Sequence, residues 1–159
     1  MVFLLCSPWT LLSNEHIRID IINSRLPKGV RDWIDVIGHV FGRKVVALEL
    51  ASERFYHLDT CLCPLSGGEL LYYPPAFDSY GQQAILERVN EDRRLTVPEE
   101  EALKFACNAV CVGTRVALPE DCPATMHRLQ ERGYQVHPVP LDEFMKSGGS
   151  AKCLTLALD

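Results

Sequence analysis

The feature that most restricts the fold of this chain is a repeated order of secondary-structure elements. The first copy predicts two strands, a helix and a closing strand, at Tyr56 to Leu65, Glu69 to Tyr73, Tyr80 to Val89 and Leu95 to Val97. The second copy predicts the same four elements, at Ala109 to Val112, Arg115 to Leu118, Pro123 to Arg132 and Tyr134 to Val139. The copies are spaced by roughly 50 residues or slightly less, a period typical of repeated supersecondary units. The sequence therefore predicts an α/β fold assembled from ββαβ modules.

Small and glycine-rich segments separate the predicted elements. Ser66-Gly67-Gly68 and Gly113-Thr114 are the turns between paired strands, and Gly133 ends the second helix. A helix from Glu99 to Phe105 links the two copies. Each copy therefore begins with a hairpin.

Composition is that of one globular domain, residues 1–159. Of these residues 47% are hydrophobic and 23% charged, and the net charge of -5 argues against a nucleic-acid or anionic-membrane partner. The seven cysteines lie mostly in strand-like or helical patterns, which favours reduced thiols in a cytoplasmic protein.

The first 42 residues form an atypical N-terminal segment without the repeated order. A strand is predicted from Val2 to Leu5, with a signal peptide as the alternative for the apolar start, and a helix from Val30 to Phe41. A further strand, Lys44 to Leu50, opens the modular part of the chain at 43–159.

Cys153 is a candidate nucleophile at the C-terminal end of the chain. It stands in a predicted apolar strand that follows a loop containing Gly148 and Gly149, which allow unusual backbone angles or close approach of a ligand. Lys146 and Lys152 flank this loop, and cations favour a thiolate over a thiol. The alternative is a buried strand cysteine with only a packing role.

His57 is the second candidate for chemistry. If Tyr56 to Leu65 is a strand, its alternation places His57, Asp59, Cys61 and Cys63 on one face. An imidazole beside a carboxylate suits the lining of a site, because the carboxylate can hold a cation or favour the charged histidine. A histidine satisfied by a local hydrogen bond at a sheet surface is the alternative.

Metal and cofactor sites are not predicted. His57, Cys61 and Cys63 offer soft ligands, but their spacing is not that of a structural zinc site and a second ligand pair is missing. No phosphate-binding loop, dinucleotide fingerprint, serine nucleophile elbow or zinc-protease motif is present in the sequence. The remaining cysteines are predicted core residues: Cys6, Cys107, Cys111 and Cys122.

Three short segments, taken in order, resemble the guanidino-group-modifying enzymes. They are His57-Leu58-Asp59, Phe105 to Val110 and Phe144 to Leu156, within a resemblance that runs from about Arg43 to the C-terminus. The superfamily includes arginine deiminases, dimethylarginine dimethylaminohydrolases, amidinotransferases and cyanobacterial arginine dihydrolases. The resemblance implies a pentein fold, an α/β propeller of five modules, of which this chain holds about half.

The resemblance also implies a role for each matching residue. Cys153 would attack the guanidinium carbon to form a covalent thiouronium, and His57 would protonate the departing amine and then activate water. Asp59 falls where the superfamily has an acidic residue near the site, and Asn108 matches an asparagine with a supporting role. Gly148 and Gly149 belong to the loop before the nucleophile, and no cofactor is implied.

The resemblance leaves three hypotheses open. The first is a hydrolase acting on arginine or a related guanidine. The second is an inactive remnant or subunit, since the superfamily's upstream half contributes carboxylates that clamp the guanidinium and nothing before residue 43 resembles it. An open propeller would then require self-association or a complementary chain to cover its edges. The third is an α/β binding module without catalysis.

Overall fold

The computed structural model describes residue 46 and residues 48–156. The strands in this part are β1 Leu62–Pro64, β2 Leu70–Tyr72, β3 Arg94–Thr96, β4 Val110–Val112, β5 Arg115–Pro119 and β6 Gln135–Val139. The α-helices are α1 Ser79–Arg88, α2 Glu99–Ala102, α3 Pro123–Glu131 and α4 Asp142–Met145. Short 3-10 helices occur at Leu58–Thr60, Pro74–Ala76, Glu91–Arg93 and Lys152–Leu154.

The strands form two three-stranded sheets with the same topology. In the first sheet, β1 pairs antiparallel with β2 and β2 pairs parallel with β3, in register Cys63 to Leu71 to Leu95. In the second, β4 pairs antiparallel with β5 and β5 parallel with β6, in register Cys111 to Val116 to Val136. A parallel neighbour requires a crossover, which α1 and α3 supply. The predicted repeat of ββαβ modules is confirmed.

Both crossover helices have a carboxylate that accepts from backbone amides of their first turn. Asp78 precedes α1, and its carboxylate accepts from the Gly81 amide at 2.7 Å. At α3 the acceptor comes from α2, because the buried carboxylate of Glu101 accepts from the amides of Ala124 at 2.7 Å and Thr125 at 2.8 Å. Glu101 therefore ties the linking segment to the second module.

One hydrophobic cluster contains side chains from both modules. Its fully buried members include Leu71 and Phe77 from the first module and Val116, Leu118 and Leu129 from the second. Polar contacts also cross between the modules: Tyr134 donates to the Glu69 carboxylate at 2.7 Å, and Arg132 pairs with the same carboxylate at 2.8 Å.

The predicted strand from Tyr56 to Leu65 is wrong in its first half. Leu58–Thr60 is a 3-10 helix, and the strand begins at Leu62. The carbonyl of His57 accepts from the Thr60 amide at 3.1 Å and the Thr60 hydroxyl at 2.6 Å, and such local bonds compete with a strand ladder. The predicted placement of His57, Asp59, Cys61 and Cys63 on one strand face is therefore wrong.

The predicted strand around Cys153 is also wrong. Lys152–Leu154 is a 3-10 helix, in which the Leu154 amide donates to the Ala151 carbonyl and the Thr155 amide to the Lys152 carbonyl. The amides of Lys152 and Cys153 donate to Asn108 and are therefore not available to a strand ladder. The linking helix is shorter than predicted and ends at Ala102, ahead of Phe105, which has a φ of 56°. A φ in this range is rare for a bulky residue and is incompatible with a continued α-helix.

The N-terminal predictions fall largely outside the described residues. The strand from Val2 to Leu5, the helix from Val30 to Phe41 and Cys6 all lie there. Of the strand predicted from Lys44 to Leu50, the described part contains one bridge, between Leu50 and Phe77. No helix in the described part of the chain is long and apolar enough to cross a membrane.

Candidate active site

Asn108 joins the two segments that carry Asp59 and Cys153. It is fully buried, and its side-chain amide donates to the Asp59 carbonyl at 3.2 Å. Its side-chain oxygen accepts from the Cys153 amide at 3.2 Å, and its own carbonyl accepts from the Lys152 amide at 3.0 Å. One side chain thus fixes both segments relative to each other, which agrees with the supporting role that the resemblance implies.

The sulfur of Cys153 lies on the surface beside the Asp59 carboxylate. Cys153 is exposed, and its Sγ is 3.8 Å from Asp59 Oδ2, within the range of a weak hydrogen bond from a thiol. The other carboxylate oxygen, Asp59 Oδ1, is buried and has no hydrogen-bond partner among the described residues. A buried carboxylate oxygen without a donor is suited to a cationic N–H group from outside the chain.

Gly148, in the loop before Cys153, occupies a position that requires glycine. Its φ is 79°, and a Cβ placed there would lie 2.6 Å from the Tyr56 hydroxyl oxygen. Both facts exclude a larger side chain, so the prediction of an unusual backbone at Gly148 is confirmed. Gly149 differs, because a Cβ there would stand 3.6 Å from Cys153 Cβ, an ordinary contact.

His57 is half-buried directly before the 3-10 helix that carries Asp59. Its backbone is extended, with φ of -131° and ψ of 150°, and its ring lies edge-on to Tyr56 with centroids 5.0 Å apart. The structure therefore places His57 two residues from Asp59 on the same segment. Its part in catalysis remains a prediction.

Tyr56 was not among the residues selected from the sequence. Its hydroxyl donates to the Gly148 carbonyl, and its pKa is raised by burial first, then by the nearby charges of Cys153 and Asp59. The same interactions bring Tyr56, Asp59 and Cys153 into one neighbourhood. The position of Tyr56 directly before His57 was the one sequence feature that could have drawn attention to it. The residues around Tyr56 in the sequence do not indicate its contact with Gly148.

The two lysines that flank the Cys153 loop are exposed, and one of them pairs with a carboxylate. Lys146 forms an exposed ion pair with Glu143 at 2.6 Å, and Lys152 is exposed on the 3-10 helix. The charged group in contact with the sulfur is the Asp59 carboxylate.

The other described cysteines belong to the core and the module boundary. Cys61, Cys63, Cys107 and Cys122 are buried, and burial raises the pKa of Cys107 strongly and that of Cys122 to about 12. Cys111 is partly exposed and accepts from the Ser66 amide at 3.4 Å. The described residues contain no group of three or more potential metal ligands.

Comparison with known proteins finds homologous enzymes. The chain is 48% identical over 127 residues to the bifunctional arginine dihydrolase/ornithine cyclodeaminase ArgZ of Synechocystis sp., covering 80% of this chain and 17% of ArgZ. It is 38% identical over 122 residues to the N(G),N(G)-dimethylarginine dimethylaminohydrolase of Mycobacterium tuberculosis, covering 77% and 40% respectively. This chain is a homologue of the guanidino-group-modifying enzymes. No protein-family model matches it.

Solved structures of the superfamily share the fold. The N-terminal domain of ArgZ bound to its substrate superposes with a TM-score of 0.75 at 48% identity, over 79% of this chain and 46% of that domain. A dimethylarginine dimethylaminohydrolase adduct with S-methyl-L-thiocitrulline superposes with a TM-score of 0.62 at 26% identity, over 84% and 49%. The two ββαβ modules thus match part of a pentein-like α/β fold. The chain spans less than half the length of each of these proteins.

Proposed function

We propose that this chain takes part in hydrolysis of the guanidino group of arginine or a related guanidine. The observation that carries the proposal is the exposed Cys153 sulfur 3.8 Å from the Asp59 carboxylate, braced by buried Asn108. This arrangement combines a nucleophile with an acceptor for a planar cation. The homologues named above are guanidino hydrolases, which supports the same class of substrate.

Asp59 is proposed to hold the guanidinium. Its buried Oδ1 has no partner among the described residues, and a carboxylate can accept two parallel N–H donors from a guanidinium. A guanidinium bound there would lie beside the Cys153 sulfur. Asp59 would therefore set the position of the carbon that is attacked.

Cys153 and His57 are proposed to perform the reaction in two stages. Neutral His57 takes the thiol proton, and the thiolate forms a bond to the guanidinium carbon. His57 then passes that proton to the leaving nitrogen, so the C–N bond breaks, ammonia or an amine departs and a thiouronium on Cys153 remains. In the second stage His57 takes a proton from water, the hydroxide attacks the same carbon, and the C–S bond breaks. The proton returns to sulfur, and a ureido product leaves.

The test of this function is release of ammonia and of ureido or amino-acid products from a panel of guanidines. Arginine and its methylated derivatives are incubated with the purified chain, a Cys153→Ser variant and a Cys111→Ser variant. We expect turnover that Cys153→Ser abolishes. Cys111→Ser should leave turnover unchanged, because Cys111 contacts Ser66 at the module boundary and not the candidate site. Turnover that survives in Cys153→Ser would overturn the proposal.

A second candidate is a subunit whose site another chain completes. It is favoured by the share of the homologous ArgZ domain that this chain covers, 46%. The resemblance assigns further guanidinium-binding carboxylates to the part of the superfamily that the chain does not match. In that case the partner, either a second copy or a complementary chain, would supply them.

A further inference from the structure

Tyr56 contacts both segments on which the proposed chemistry depends. Its hydroxyl donates to the carbonyl of Gly148 in the loop before Cys153. Its ring lies edge-on to His57, with centroids 5.0 Å apart, and edge-on to Phe105 at 6.2 Å. The side chain thus stands between the histidine and the cysteine loop.

The loop before Cys153 approaches the Tyr56 hydroxyl closely at Gly148. Gly148 has a φ of 79°, and a Cβ there would stand 2.6 Å from the Tyr56 hydroxyl oxygen but 3.5 Å from Cζ. The hydroxyl group alone therefore accounts for the closest approach. The loop continues through Gly149 and Ser150 to the turn that presents Cys153.

We propose that Tyr56 is a positioning residue that holds the Cys153 loop against the His57 segment. The hydrogen bond to Gly148 fixes one end of the loop, and Asn108 fixes the other end at Lys152 and Cys153. The sulfur is thereby kept beside Asp59. An effect of Tyr56 on catalysis rests on the proposed function. The positioning of the loop rests only on the contacts described here.

Exposure of Tyr56 separates this role from core packing. The residue is 38% exposed, so removal of its hydroxyl leaves the hydrophobic core intact. Burial and the charges of Cys153 and Asp59 raise the pKa of its hydroxyl. The hydroxyl therefore remains a donor throughout the neutral range.

The first measurement is alkylation of Cys153 by iodoacetamide, followed by peptide mass mapping between about pH 6 and pH 9. In Tyr56→Phe the loop loses one anchor, so we expect Cys153 to react several-fold faster than in the parent chain. Alkylation of Cys111 in the same molecule is the internal reference and should not change. Tyr80→Phe, which removes a hydroxyl from an exposed residue of α1, is the matched control.

The second measurement is the split between kcat and KM in the same variants. Displacement of a nucleophile lowers the rate of the chemical step more than binding, so Tyr56→Phe should lower kcat by about 10-fold to 100-fold with little change in KM. Loss of folded protein would instead lower turnover and leave the thiol reactivity of the remaining folded chains unchanged.

A double-mutant cycle tests the contact itself. Gly148→Ala should slow turnover and alter Cys153 alkylation in the parent chain, because its methyl group meets the Tyr56 hydroxyl. In the Tyr56→Phe background the nearest ring atom is Cζ, so Gly148→Ala should have a clearly smaller further effect. Independent, additive effects would contradict the contact.

The outcomes distinguish the two proposals. Altered Cys153 alkylation and a non-additive cycle in that alkylation, without turnover in any variant, would support positioning by Tyr56 and overturn hydrolysis by this chain alone. Turnover in the parent chain with unchanged kcat and unchanged alkylation in Tyr56→Phe would overturn positioning and leave the function standing.

Discussion

At the scale of single residues, Asn108 explains why distant segments meet at the candidate site. Three of its hydrogen bonds reach Asp59, Lys152 and Cys153, and each closes a contact between parts of the chain that are far apart in sequence. A buried amide with donors and acceptors satisfied on both sides holds its neighbours in one arrangement. The arrangement of Asp59 and Cys153 therefore depends on Asn108, for which a supporting role is predicted.

Replacement of Asn108 tests this role. Asn108→Ala removes both side-chain hydrogen bonds and leaves the Asp59 carbonyl and the Cys153 amide without them. We expect the free energy of unfolding to fall by about 2 kcal/mol, measured by urea denaturation. Turnover per folded molecule should fall as well, and unchanged turnover in the folded fraction would contradict the supporting role.

Residue-scale prediction from the sequence succeeds where a motif is local. Asp59, Asn108 and Cys153 were selected from short segments, and the structure brings them together. Tyr56 was missed because its partner Gly148 is 92 positions away, and a contact between a hydroxyl and a backbone carbonyl leaves no sequence pattern. Lys146 pairs with Glu143 on the surface, and its expected effect on the Cys153 thiol stays a prediction.

At the scale of elements, the N-terminal end of α3 depends on a carboxylate from another helix. Glu101 accepts from the Ala124 and Thr125 amides and, at 2.5 Å, from the Thr125 hydroxyl. These amides belong to the first turn of α3, where no intrahelical acceptor exists. The negative charge also lies at the positive end of the helix dipole.

Glu101→Ala should therefore destabilise the second module. We expect a loss of about 2 kcal/mol in the free energy of unfolding, measured by thermal or urea denaturation. Glu100→Ala is the matched control, because Glu100 is exposed on the same short helix and should change stability by less than about 0.5 kcal/mol. Equal effects of the two substitutions would refute the capping role.

The Tyr134 contact between the modules predicts a dependence on alkaline pH. Burial, followed by the hydrogen bond to Glu69, raises the pKa of Tyr134 from 10.0 to about 12. The raised pKa means that the neutral hydroxyl is favoured in the folded state, so its stabilisation is complete below pH 10 and is lost as the pH rises to about 12.

Tyr134→Phe should be less stable than the parent chain by about 1.5 kcal/mol near pH 7, and this difference should shrink between pH 10 and about pH 12. Denaturant titrations at several pH values measure it, with Tyr80→Phe as the control. A difference that stays constant up to pH 12 would contradict the assignment.

The bounds of helices and strands were predictable where residues that end such elements, such as glycine, stand at their ends. Helices α1 and α3 were predicted to within one residue at each end, helped by Gly133, whose φ is 84°. The 3-10 helices at Leu58–Thr60 and Lys152–Leu154 were not predicted. In the first, the Thr60 amide donates to the nearby His57 carbonyl. The second is held by Asn108, which becomes its neighbour only after folding.

At the scale of the whole molecule, the repeated module is the property that sequence alone predicts best. Both sheets have the same order of antiparallel and parallel pairs, and the modules share one hydrophobic cluster. Fixed spacing and repeated turn residues carry this information. The repeat does not indicate how many modules are needed to form a complete site.

Assembly is testable through the dependence of activity on concentration. If a second copy contributes to each site, specific activity should fall when the chain is diluted below its dissociation constant, and sedimentation should show dimers breaking up over the same range. If each chain completes its own site, specific activity should stay constant on dilution. Constant activity from a monomer would exclude the two-copy site.

The measurement that tests the central claim most directly is the mass of the chain during turnover. The reaction with an active guanidine is stopped with acid, and the intact chain and its Cys153 peptide are weighed by mass spectrometry. The account predicts a thiouronium adduct on Cys153, equal to the substrate minus its leaving amine, that is absent in Cys153→Ser. Turnover with no adduct at Cys153, under conditions where water attack is slowed by low pH or low temperature, would contradict it.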